Sequence, residues 1–290
     1  MKDVEGGGVA NVTFTSVAEA IDFLSVATVQ TREKNQCDKN THTSMYEGST
    51  SVKGWYGTDS YNEALRLGAE GMQDPYVEEI AYRFAHEACE YTQETMLVSD
   101  VEGGAVDPSL LWSGVPEAFA RPEEKAMADI GYEAVEIVVN SSVSYSVNPD
   151  AIRARGALAL SVAMLAEQCG VPSRVVWGCA GNDRTNEQHL FDATVILKDF
   201  AQWPDWSVLA FWLINPAAFR RLGFRFTERA HKTPWTHSYG MPKNSAWKGM
   251  DRSKMITFNH GRIRDAWRSP EAVVQEAKRL LLSEGKMVSV

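Results

Sequence analysis

The sequence predicts an α/β fold, with a mainly parallel sheet in the second half of the chain and a helical, irregular N-terminal region before it. Three observations lead there. Ala134 to Val139 is a β-branched run of the kind that forms a strand buried on both faces. A long helical pattern follows, opened by Asn148-Pro149, stopped by Gly170, and carrying an apolar stripe of Ile152, Leu158, Val162 and Leu165. From there the elements read β-α-β-β-α-β-α, which implies a mostly parallel sheet with one hairpin at an edge.

The 290 residues, 44% hydrophobic and 23% charged, suffice for a folded core without disulfides or metal and exclude a disordered chain or a coiled coil. No apolar run reaches the length of a membrane span, and the opening MKDVEGGG lacks the basic-then-apolar pattern of a secretory signal. Cys37, Cys89, Cys169 and Cys179 form no CxxC pair, so a cytoplasmic setting is expected.

Taken in order, a strand ends near Phe14, and Ser16-Val17-Ala18-Glu19 is a capping box that starts a helix running towards Val26. Residues 28–51 are polar without either period and predict a surface excursion. A second capping box, Ser60-Tyr61-Asn62-Glu63, opens a helix that Gly71 stops. Asp74-Pro75 opens a third helix, with Tyr76, Ile80, Phe84 and Ala88 on one face. Residues 121–129 form a charged connection, which places a boundary between an acidic N-terminal region, 1–128, and an α/β domain, 129–290. In that domain strands are expected at Ser173–Trp177, Leu190–Leu197 and Met255–Phe258. Residues 178–188 form a polar loop, an apolar helix spans Ser207–Phe219, and a last helix opens at Ser269-Pro270.

Charge divides unevenly. Residues 1–150 hold 9 basic against 26 acidic residues, a balance of −17, while residues 151–290 carry +8. The basic excess concentrates in residues 215–270, with 12 basic against 3 acidic residues. Arg220, Arg221, Arg225 and Arg229 continue the apolar helix, and Trp235, Tyr239 and Trp247 alternate with the lysines and arginines that follow. That mixture suits either phosphates and bases or a protein interface. The acidic half can instead dock on the basic stretch of the same or a neighbouring copy.

Enzyme signatures are sparse. Neither a nucleophile elbow, nor a Walker A loop, nor a dinucleotide fingerprint, nor HExxH occurs. His86, Cys89 and Glu90 sit at helical spacing and could share a metal, although packing and solvation are the commoner uses of such residues. Asp183, Arg184, Glu187 and His189 cluster in the hairpin loop, where exposed polarity is the commoner reading than acid-base chemistry.

Asn140-Ser141-Ser142-Val143-Ser144 follows the first strand of the sheet, at the carboxyl end where open α/β sheets collect ligands. With the order of elements, this loop resembles the von Willebrand factor A fold, a family that places Asp-x-Ser-x-Ser here to hold a divalent cation. This chain has Asn140, Ser142 and Ser144 in that pattern, and Asn259-His260-Gly261 where the family often has Thr-Asp-Gly. Both expected carboxylates are neutral, so the resemblance implies a degenerate site that binds no metal, and no cofactor is expected.

Residues 55–64 (WYGTDSYNEA), 100–107 (DVEGGAVD), 155–157 (RGA) and 215–224 (NPAAFRRLGF) look like a family of uncharacterised tailed-bacteriophage proteins. That resemblance implies a viral origin and a host-cytoplasm setting, with a place in the virion left open, and supplies no catalytic residue. The fold resemblance implies a protein partner, such as an AAA+ ATPase or another phage protein. The expected function is therefore a non-enzymatic adaptor or assembly protein, with nucleic-acid binding through residues 215–268 as the alternative and a hydrolase or transferase using the hairpin loop as a weaker third.

Overall fold

The computed structural model describes residues 10–26, 52–83, 96–100, 105–106, 119–123, 134–144, 146–168, 170–182, 190–230, 241–243, 255–258, 270–282 and 288–289. Its elements in chain order are β1 (Ala10–Phe14), α1 (Val17–Ser25), α2 (Val52–Tyr56), α3 (Tyr61–Glu70), α4 (75–83), β2 (Met96–Asp100), β3 (Ala105–Val106), β4 (Phe119–Glu123) and β5 (Val135–Asn140). There follow α5 (Pro149–Gln168), β6 (Ser173–Asn182), β7 (Leu190–Lys198), α6 (Trp206–Ile214), a π-helix (Ala218–Gly223), α7 (Phe224–Ala230), β8 (Met241–Lys243), β9 (Met255–Phe258), α8 (Pro270–Leu282) and β10 (Val288–Ser289). The molecule is α/β, as expected.

The main sheet is mixed and mostly parallel, in the order β1-β7-β6-β5-β9-β10, with β8 added to β6. β5 lies between β6 and β9, parallel to both, and all six of its residues are buried, as the β-branched run predicts. β6 and β7 form the antiparallel hairpin. That hairpin is not at the edge, because β1 pairs in parallel with β7 from Ala10↔Phe191 to Phe14↔Val195. The N-terminal region is also more than helical and irregular: it contributes β1 to the main sheet, and β2, β4 and β3 form a separate antiparallel sheet. The expected boundary at residue 128 falls outside the described residues.

One face of the sheet carries the helices. Val135, Ile137 and Val139 pack with α5, α6 and α8, while Trp177, Val195 and Phe14 pack on the same side with α1, α3, the π-helix and α7. Alternate residues point the other way, where Val138, Val176 and Met255 form a small cluster. α5 and α6 approach closely because Gly156 has no side chain: a Cβ there would overlap the Leu213 carbonyl oxygen.

Both capping boxes form. Ser16 and Ser60 accept from the N–H groups of Glu19 and Glu63 at 3.2 and 3.0 Å, and each glutamate reaches back to the N–H of the residue before the serine. Three further elements depart from expectation. β4 takes residues 121–123 of the expected charged connection into a strand, β6 continues past Trp177 to Asn182, and the apolar helix breaks at Asn215-Pro216 before resuming as the π-helix.

Candidate functional site

The loop after β5 leaves the sheet where β6 changes partners. β5 pairs with β6 as far as Asn140↔Gly178, and β8 takes over the ladder at Ala180↔Lys243. Ser142 fills the junction. Its hydroxyl donates to the Ala180 carbonyl at 2.8 Å and accepts from the Ala180 N–H at 2.7 Å, replacing a strand partner with a side chain. Asn140 is fully buried, and its side-chain oxygen accepts from the Ser142 N–H at 3.1 Å. The Ser144 hydroxyl lies 3.1 Å from that of Ser146.

Three of the residues expected to form the degenerate metal site are therefore together at the carboxyl end of β5, and Asn259 lies outside the described residues. Among the described residues no group of three or more His, Cys, Asp or Glu is arranged to hold a metal ion. His86, Cys89 and Glu90, and the hairpin-loop set from Asp183 to His189, lie outside the described residues. Cys179, on β6, is buried, and its thiol is pushed well up by burial and by the nearby Asp192 carboxylate, so it is held as an unreactive thiol.

The arginines expected to face a partner are inside. Arg220, Arg221 and Arg225 are 1%, 0% and 7% exposed. Each guanidinium stacks on an aromatic ring from the N-terminal half: Arg220 on Trp55 at 4.2 Å, Arg221 on Tyr56 at 4.4 Å and Arg225 on Tyr61 at 5.0 Å. Arg220 also donates to the carbonyls of Trp55 and Val147, each at 2.6 Å, and Arg221 to that of Thr58 at 3.1 Å. Gly57 adopts φ +86° beside this joint, and Asn215 donates to its carbonyl at 3.4 Å while capping the Ala217 N–H. These cations fasten residues 55–61 to the π-helix and the start of α7 instead of reaching solvent. Arg229 lies on α7, while Trp235, Tyr239 and Trp247 lie outside the described residues.

A fourth buried arginine stands apart. Arg155, on α5, is 1% exposed, burial lowers its pKa to about 10, and its Nε and Nη1 make no hydrogen bond among the described residues. At the opposite end of α5, Lys198 is also 1% exposed and lies 2.7 Å from Glu167, whose carboxylate Ser173 also holds.

Sequence reasoning missed an open cleft of about 470 Å³ between α1, α3 and the β7–α6 turn, and with it the 96%-exposed Trp203 in that turn. The available signal was a tryptophan beside proline in the stretch AQWPDW, residues 201–206, where the turn leaves little apolar surface for it to pack on. Among the described residues no helix is long and apolar enough to cross a membrane. No curated relative and no solved structure matches the chain. A family model described as Domain of unknown function (DUF7192) matches residues 2–284, and the chain belongs to that family.

Proposed function

We propose that the chain is a phage-encoded, non-enzymatic adaptor or assembly protein that binds a protein partner in the host cytoplasm. Its α/β domain is of the von Willebrand factor A type, with a metal site that has been converted to structural use. The observation that carries this reading is the double hydrogen bond of Ser142 to Ala180. A hydroxyl committed to both polar groups of a strand residue holds the sheet together and keeps one lone pair, too little to hold a hard cation without the anionic oxygens that Asn140 does not supply. The strand order β7-β6-β5-β9, with β7 alone antiparallel to its neighbour in that set, also supports the fold assignment. One feature departs from a doubly wound sheet: α5 and α8 lie on the same face, where such sheets carry helices on both.

Burial of Arg220, Arg221 and Arg225 favours a protein partner over nucleic acid, because those three charges are stacked on rings. The test is to recover partners on the tagged, full-length protein from infected cells and to wash with EDTA or with Mg²⁺. A stoichiometric protein partner, such as an AAA+ ATPase, retained equally in both washes is expected. Release by EDTA would overturn the converted-site reading, and recovery of nucleic acid alone would overturn the adaptor reading.

A further inference from the structure

We propose that the cleft between α1, α3 and the β7–α6 turn is a docking groove for a short segment of a partner protein that alternates apolar with basic side chains, and that Trp203 is its anchor. This rests on the partner-binding reading above and names the surface and the chemistry of the partner. The cleft arises from the sheet. β1 ends at Phe14 opposite Val195, so Ile196 and Leu197 run past it, and the chain turns at Ser16 into α1 instead of covering them. Val17 and Ile21 form the facing wall, and all four apolar side chains are only half-buried.

Charge selects the occupant. Asp22 and Asp205 line the cleft, Glu19 stands exposed on the same helix as Asp22, and no Lys or Arg lines it among the described residues. Glu19 is held by the N–H and hydroxyl of Thr15, and Asp205 by the N–H and hydroxyl of Ser207. Both sets of donors are neutral, so they fix the carboxylates without cancelling their charge. The cleft is in the size range of small-molecule pockets, but a molecule held inside would leave the Trp203 indole in water. Trp203 does not line the cleft but stands in the turn between Gln202 and Asp205, which do, so a polypeptide laid over the mouth and this turn would cover the apolar floor, the indole and the acidic rim together, and Trp is a preferred anchor of such contacts.

The experiment titrates the full-length protein with two synthetic amphipathic peptides, one of alternating leucine and lysine and one with glutamate in place of lysine, by calorimetry. The lysine peptide is expected to bind and the glutamate peptide to fail. Trp203→Ala should weaken binding by about 30-fold, the loss of an interface hot spot. Asp22→Lys should weaken it and flatten its salt dependence. Both positions are exposed, so unchanged melting temperatures will verify the fold. Equal affinity for both peptides, no binding of the lysine peptide, or wild-type affinity in both variants would overturn the proposal. So would self-association of the wild type that Trp203→Ala abolishes, which would assign the groove to a second copy. A partner recovered from infected cells that stays bound to both variants would remove this surface while leaving the adaptor reading intact; recovery of no partner by the wild type would remove that reading itself.

Discussion

Gly156 is the position where helix propensity and packing disagree about the sign of a mutation. In an isolated helix, replacing glycine by alanine gains about 1 kcal/mol, because alanine has less backbone freedom to lose. In this protein the added Cβ would overlap the Leu213 carbonyl oxygen and lie 2.5 Å from the Leu213 carbonyl carbon and 2.8 Å from Ile214 Cα. All three are backbone atoms of α6 and cannot rotate away. Restoring ordinary contact distances requires α5 and α6 to separate by ~1 Å. Overpacking of this kind costs about 1–3 kcal/mol, and a clash with main chain belongs at the upper end. The net effect of Gly156→Ala is therefore a loss of about 2 kcal/mol, seen as a melting temperature lower by about 4–8 °C for a chain of this size. Gly68→Ala is the internal control. There the Cβ would meet Ile21 Cδ1 at 3.0 Å and Leu222 Cδ1 at 3.1 Å, the far ends of side chains that can shift. Its melting temperature should stay near that of the wild type. Both variants are to be measured by thermal and urea unfolding. A Gly156→Ala protein as stable as the wild type, or less affected than Gly68→Ala, would refute the packing argument.

Ser142→Ala should cost about 2–4 kcal/mol in urea unfolding, since it strands both the N–H and the carbonyl of Ala180 in the interior. Arg155→Met should raise stability by about 1–4 kcal/mol, because it replaces a buried guanidinium, unbonded at Nε and Nη1, with an apolar chain of similar reach; a lower melting temperature would show that the charge is used. Acid stability is set partly by Glu167 and Asp199. Burial pushes the Glu167 carboxyl up, but hydrogen bonds from Lys198 and Ser173 outweigh it and leave the pKa lowered, while the Arg174 hydrogen bond lowers that of Asp199. With folded pKa values below the unfolded ones, their stabilisation is complete above the ordinary carboxylate range and is lost as pH falls through the lowered values. Lys198→Met should flatten that acid limb in a series of urea midpoints against pH.

The parts legible in the sequence are those fixed by local chemistry. The β-branched run of β5, the Asn148-Pro149 start of α5 and the two capping boxes each carry their cause within a few residues, and each stands where the pattern places it. The parts that were not legible depend on distant partners. β1 joins the main sheet by pairing with residues 191–195, and nothing within its five residues specifies which edge it will take. Gly178 to Asn182 has poor strand propensity, yet it is extended because β7 flanks it on one side and Ser142 and β8 on the other. The loop carrying the candidate site was found by position, but its use was not: Ser142 has the same sequence signature whether its hydroxyl faces a cation or a strand.

The basic stretch shows the same limit with greater consequence for function. Formal charge counts Arg220, Arg221 and Arg225 among 12 cations available to a partner, because arginine is usually exposed. Trp55, Tyr56 and Tyr61, far earlier in the chain, take all three out of the surface. Charge reversal at Arg221 or Arg225 would then put a carboxylate against the face of a tyrosine ring, where the quadrupole repels it and water cannot reach it. Lost binding in such a variant would report a broken joint between the two halves of the chain, whatever the partner. The informative test leaves these residues in place and varies salt. A polyanion bound through the remaining cations weakens with a slope of about −0.9 per phosphate contact on duplex DNA, whereas a partner seated on apolar surface does not. A steep slope measured on the intact protein would restore the nucleic-acid reading without any variant whose folding is in question.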